Sequence, residues 1–348
     1  MSLHQFSPGV IYAAAFVLAG LVSVLATPAI VRLAIRLRIV DDDEHDRRMH
    51  DLPKPRVGGI AVFLGFAFAL FAMLGVALGS PFGLRPAEQF DAIHRLVGLL
   101  FGSLLILGVG IWDDAMKMRP RNKLFAQIVV ASISMLYGFV IPGMNNPFDH
   151  NPGTNWIDFP LWLGVPLTLL WYVGMMNAIN FLDGLDGLLS GVAAISSLFL
   201  FAISVVHGNP VVALVVVALA GSALGFLPYN FNPARIILGD AGSLFIGYVF
   251  ATVSIIGASK TAIAISIVVP LLVLALPVLD TAVAIVRRAR SGKRITEADR
   301  GHFHHQLIFR FGLNVRQAVL LLYAVCFVLG AVALAFSGEF THVFRHTT

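Results

Sequence analysis

The stretch "LWLGVPLTLLWYVGMMNAINFLDGLDGLLSGVAAISSLFLFAISVV", residues 161–206, joins two apolar runs through a polar break. Each run is close to the roughly 20 residues a helix needs to cross a bilayer. Between them Asn177, Asn180, Asp183 and Asp186 recur every third residue. On one continuous helix each such step turns 300°, so the side chains drift by about 60° per step and Asn177 and Asp186 end on opposite faces. Gly184 and Gly187 offer another geometry: the helix ends near Asp183, turns tightly and restarts after Asp186. The expectation is a helix break at a membrane surface, with two carboxylates free to converge on one cation or phosphate.

The rest of the chain follows the same pattern. Of 348 residues 58% are hydrophobic and only 12% charged, with a mean hydropathy of +0.85. A soluble domain carries about 25% charged residues, so this chain lacks the polar surface to face water all round. Apolar runs occupy 10–31, 57–79, 96–112, 124–142, 161–179, 188–206, 211–227, 238–257, 262–286 and 317–337. The expected fold is all-α: a polytopic integral membrane protein of about ten transmembrane helices with cytoplasmic active-site loops, forming a single domain over 1–348. The first run follows "MSLHQFSPG", which lacks the basic start of a signal peptide, and is read as mature structure. One cysteine, Cys326, leaves no disulfide and no cysteine metal site.

The pI of about 9.6 does not point to nucleic acid, because the charges are sorted. Of 24 Lys and Arg, 20 fall between spans 1 and 2, 3 and 4, 7 and 8, or 9 and 10. By the positive-inside rule those loops are cytoplasmic and both termini lie outside. Fourteen of the 19 Asp and Glu fall on the same side, so the chemistry is expected there.

Five segments carry the polar residues of that face. In "VDDDEHDRRMHDLPKPRVGG" (40–59), Arg47, Arg48, His50, Lys54 and Arg56 form a cationic cluster suited to a lipid-borne phosphate. In "WDDAMKMRPRNKLFAQ" (112–127), Asp113 and Asp114 are adjacent acids that must share a proton, a cation or a donor, with Lys117 and Lys123 nearby. The third segment is the polar break. In "LPYNFNPARIILGDAGSLFIGY" (227–248), Asp240 sits between glycines just inside an apolar run. A buried carboxylate there is a functional hypothesis by default, and Mg²⁺ is held by one or two carboxylates plus substrate phosphates. Asp280 is a similar case, or a structural partner for Arg287 or Arg288. In "TEADRGHFHHQLIFRFG" (296–312), His302, His304 and His305 crowd beside Arg300. Their spacing does not match a zinc pair and suits hydrogen bonding to a diphosphate. With no P-loop, nucleophile elbow or dinucleotide fingerprint, carboxylates, Mg²⁺ and cations point to phosphoryl transfer between a water-soluble phosphate and a lipid phosphate.

"DDAMK" at 113–117, "NAINFLDGLDGL" at 177–188, "NFNPARIILGDAGS" at 230–243 and "HFHHQL" at 302–307 resemble, in order, the signature segments of the polyprenyl-phosphate N-acetylhexosamine-1-phosphate transferases. The resemblance implies transfer of a sugar-1-phosphate from a UDP-sugar to undecaprenyl phosphate at the bacterial inner membrane, releasing UMP and using Mg²⁺, with Mn²⁺ as a substitute. It implies catalytic roles for Asp113, Asp114, Asp183 and Asp186, and a metal role for Asp240. Lys117, Lys123, Asn177, Asn180, Arg47, His50, Arg300 and the three histidines fall to substrate binding. Direct attack by the lipid phosphate, with Asp114 or its neighbour keeping that phosphate ionised, is preferred to a covalent intermediate. "HFHHQL" and "RRMHDLPKPRVGG" look like the branch that primes envelope polymers, such as lipopolysaccharide or O-antigen, with UDP-GlcNAc. The alternative branch handles UDP-MurNAc-pentapeptide and is expected to carry three consecutive histidines. The acid run "DDDEH" at 41–45 departs from both. Other expected partners are membrane lipid and a second copy of the chain. An ion-coupled transporter is the rival from another class, but the two halves of the chain show no matching interrupted helices.

Overall fold

The computed structural model describes residues 7–37, 39–40, 54–77, 86–145, 156–258, 307–308 and 311–345. Nine long helices run through them: α1 (Pro8–Arg36), α2 (Gly59–Ala77), α3 (Pro86–Met116), α4 (Pro120–Leu136), α5 (Leu161–Leu182), α6 (Leu188–Val206), α7 (Pro210–Asn230), α8 (Gly239–Ala258) and α9 (Val315–Arg345). A two-stranded antiparallel hairpin, β1 (Gly143–Asn145) and β2 (Trp156–Asp158), links α4 to α5. Among the described residues seven helices are long and apolar enough to cross a membrane, and α4, at 17 residues, is not one of them. The nine correspond to nine of the ten apolar runs, and the run at 262–286 lies outside the described residues.

Local chemistry fixes where these helices begin. Proline opens α1, α3, α4 and α7, where its missing N–H is an orphan in any case and its φ is already helical. Asn209 caps α7 by accepting from Val212 N at 3.3 Å. Several helices run past their apolar segments: α3 covers 86–116 where the run covers 96–112, and α9 covers 315–345 where the run covers 317–337. Hydropathy marks the part of a helix that meets lipid, while the hydrogen-bonded helix continues into its polar flank.

Packing sorts the helices into inner and outer. The apolar stretch of α8 is 94% buried, that of α1 only 22% and that of α9 28%. α8 is flanked by α2, α3 and α5, while α7 packs between α1, α2 and α6, and α9 lies on α6. With no water to exclude, lipid-embedded helices associate through close backbone approach at small residues. Thus α1 crosses α7 at Gly20, where a Cβ on Gly225 would fall 3.0 Å from the Gly20 Cα. Large side chains such as Leu25, Phe71, Leu170 and Phe327 point outward, as a lipid-facing surface requires.

Short backbone pairs tie α2 to α8 at one end of the bundle. Gly58 N and Gly59 N donate to the Ile237 and Leu238 carbonyls at 3.0 and 2.8 Å, and Ile237 N donates to Pro55 O at 2.8 Å. The strap 54–59 therefore lies against the loop that leads into α8. The inner ends of α3, α4, α5 and α6 meet at the same place, with the α4–α5 hairpin at the opposite ends of its helices.

Candidate active site

The polar break forms as the spacing predicts. α5 ends at Leu182, Asp183 is its C-cap, and α6 restarts at Leu188 after Gly187, which adopts φ +83°. The Gly187 carbonyl accepts from Tyr323 Oη of α9, anchoring the turn.

Around this turn the structure gathers acids from three helices. Lys123 Nζ, near the start of α4, lies 2.9 Å from Asp113 Oδ2 and 3.1 Å from Asp240 Oδ1, and 3.4 Å from Asn180 Oδ1. Asn180 Nδ2 donates to Asp240 Oδ1 and to Ser243 Oγ at 2.7 Å. Asp113 Oδ1 also accepts from Met118 N at 2.7 Å, which holds the end of α3. One ammonium thus bridges two carboxylates contributed by residues 127 positions apart.

Asp114 faces another way. Its Oδ1 accepts from Asp240 N and its Oδ2 from Ala241 N, both at 2.9 Å. Asp186 is tied to two neighbouring segments: it pairs with Lys54 Nζ at 3.1 Å and accepts from Asn232 Nδ2 at 3.1 Å and Ala234 N at 3.0 Å. Asp183 keeps part of its surface exposed. Burial pushes its carboxyl up to about 7, the Asp240 carboxylate adds to the rise, and the Arg56 guanidinium and the Gly239 amide oppose it.

The remaining predicted residues divide plainly. Lys117 is exposed at the end of α3 with φ +50°. Asn177 lies a turn deeper than Asn180 and donates to Gln127 Oε1 and Val173 O, both at 2.8 Å. Arg47, His50, Arg300, His302, His304 and His305 lie outside the described residues, as do Asp280, Arg287 and Arg288. Sequence reasoning missed Ser243 and Gln127, small or neutral residues in apolar helices that only their partners single out.

Among the described residues no three acidic or histidine side chains form a metal cage by themselves. The donor set still suits a hard cation. Mg²⁺ keeps waters and takes one or two carboxylates, with substrate phosphates completing its octahedron, and Asp240 with Asp113 offers such a pair, already close enough to share one ammonium.

Residues 96–258, which carry Asp113 through Asp240, match the model of glycosyl transferase family 4. A probable undecaprenyl-phosphate N-acetylglucosaminyl 1-phosphate transferase of Bacillus subtilis is 33% identical over 325 residues, covering 92% of this chain and 83% of that protein. The chain belongs to this family. The decaprenyl-phosphate N-acetylglucosaminephosphotransferase of Mycobacterium tuberculosis H37Rv is 34% identical over 88% of this chain and 77% of its own length. A phospho-N-acetylmuramoyl-pentapeptide-transferase of Staphylococcus aureus is 28% identical over 91% of this chain and 96% of its own. The family's matched region thus includes the ends of α3, α5 and α8 that meet at Lys123.

Proposed function

We propose that this protein transfers GlcNAc-1-phosphate from UDP-GlcNAc to undecaprenyl phosphate, releasing UMP and leaving a lipid-linked diphosphate sugar. The observation that carries the reading is the convergence of Asp113, Asp240 and Asn180 on Lys123 at the polar end of a membrane-embedded helix bundle. The choice of N-acetylglucosamine follows the names of the relatives at 33–34% identity rather than those at 28–29%, and that of undecaprenyl phosphate the name of the Bacillus subtilis relative.

An oxygen of the lipid phosphate attacks the phosphorus that bears the sugar, and the bond from that phosphorus to the bridging oxygen of UMP breaks. Mg²⁺ at Asp240 would neutralise charge on the diphosphate and the departing UMP. The chain's own part is positioning and electrostatics. Lys123 holds Asp113 and Asp240 in register, and Asn180, itself braced by Ser243, orients the Asp240 carboxylate. Asp183, at the turn between α5 and α6, is placed to receive a proton or to face the sugar phosphate. The Asp186–Lys54 pair ties the strap 54–59 to the turn between α5 and α6.

Membranes containing the protein, supplied with undecaprenyl phosphate, Mg²⁺ and UDP-GlcNAc, are expected to release UMP; chelation stops the release and Mg²⁺ restores it. Asp240→Asn is expected to lower kcat by at least a hundredfold, roughly 2.7 kcal/mol at 1.36 kcal/mol per decade, with the melting temperature retained. A panel of UDP-HexNAc donors that yields no UMP, alongside solute uptake in vesicles, would overturn the enzyme reading.

A further inference from the structure

α8 has an unusual start. Its first N–H groups have no partner within the helix, and a Ser, Thr, Asp or Asn just before the first turn ordinarily supplies one. Here that position is Leu238, a buried side chain with no oxygen. The acceptor comes instead from another helix: Asp114 of α3 accepts from Asp240 N and Ala241 N, one carboxylate oxygen to each, at 2.9 Å. The approach leaves no room for alternatives. Gly239 has φ +75°, a Cβ there would collide with the Arg56 carbonyl and lie 2.7 Å from Asp114 Oδ2, and a Cβ on Gly110 of α3 would strike Ala241.

We infer that Asp114 is a positioning residue: it clamps the first turn of α8 to α3 and so sets the direction in which Asp240 presents its carboxylate. The partition of labour between the adjacent acids follows. Asp113 pairs with Lys123, which it shares with Asp240, whereas both Asp114 oxygens are spent on backbone donors, where the α8 dipole also favours negative charge. Asp114 is therefore not the group that activates the lipid phosphate. The part of this inference that concerns Asp240 and metal rests on the proposed function; the clamp does not.

Two measurements on the full-length protein in detergent test it. Asp114→Asn presents an amide nitrogen to one of the two backbone N–H groups and breaks half the clamp. Asp114→Glu keeps the carboxyl but displaces it by a methylene, and serves if the Asn variant fails to fold. Amide hydrogen exchange across 239–242 is expected to rise in either variant. Mn²⁺ binding, followed by electron paramagnetic resonance, is expected to weaken by on the order of 10–100-fold, as for other residues that orient a metal ligand. The rate of UMP release is expected to recover at high Mg²⁺, with the shape of its pH profile unchanged. Lost turnover with wild-type Mn²⁺ affinity, or loss of one limb of the pH profile, would make Asp114 the base and overturn the inference. A wild-type protein that binds no Mn²⁺ would sink the metal reading instead. The exchange result then decides the clamp alone: unchanged exchange at 240 and 241 removes it.

Discussion

At the scale of single residues, Asp183 has the most direct physical signature. Its carboxyl is pushed up to about 7, chiefly by burial and then by the Asp240 carboxylate. In the unfolded chain an aspartate titrates near 3.9. Between those values the unfolded state has lost a proton that the folded state keeps, so the unfolded state binds fewer protons and stability falls as pH rises. The loss begins near pH 4 and is complete above about 7. Asp183→Asn carries no such charge, so thermal melts in detergent without divalent metal are expected to show a shallower decline over pH 4–8 for the variant. Above pH 7 the variant is expected to melt higher than wild type. Parallel pH curves for the two proteins would show that the turn leaves Asp183 as solvated as any surface acid.

At the scale of elements, the break between α5 and α6 was legible because its signal is local. Four polar residues at a spacing of three cannot share one helical face, and glycines lie where the chain must turn; the structure ends α5 at Leu182 and restarts at Leu188. The clamp on α8 was not legible, because its partners stand 126 residues apart and no local pattern announces them. The trace it leaves is negative: a helix that starts beside Leu238 without a capping side chain. Asn177 shows the same limit from the other side, since its spacing fits the polar series while its partners, Gln127 and Val173, turn it away from Lys123. The turn itself yields a prediction. Gly187 holds φ +83°, and a Cβ there would sit 3.0 Å from Phe231 Cδ2. The left-handed conformation costs a residue with a side chain roughly 1–2 kcal/mol, so Gly187→Ala is expected to lose about that much stability. UMP release should fall with it, because Asp183 and Asp186 hang from the turn. An alanine variant with unchanged melting temperature and rate would show that the turn can relax without moving either acid.

At the scale of the whole molecule, the sorting of charge and the gathering of carboxylates are one fact seen twice. The ends of α3, α5 and α7 and the starts of α2, α4, α6 and α8 meet at the strap 54–59, and the paired strands β1 and β2 lie at the other ends of α4 and α5. Helices buried in lipid must satisfy their backbone internally, so polar side chains collect where the helices leave the hydrocarbon. The excess of Lys and Arg in the same connections predicts that this end faces the cytoplasm. The assignment is testable because the chain holds a single cysteine, Cys326, which is buried. In a Cys326→Ala background, cysteine is placed at two exposed positions at opposite ends of the bundle: Arg121→Cys beside the carboxylates, and Asp158→Cys on the hairpin. A membrane-impermeant maleimide added to intact spheroplasts is expected to label the Asp158→Cys protein and spare Arg121→Cys; inverted vesicles should reverse the pattern. Labelling of Arg121→Cys from outside would place the acids on the face away from nucleotide sugars. A UDP-sugar could then not reach Lys123 and Asp240, whatever the local geometry allows.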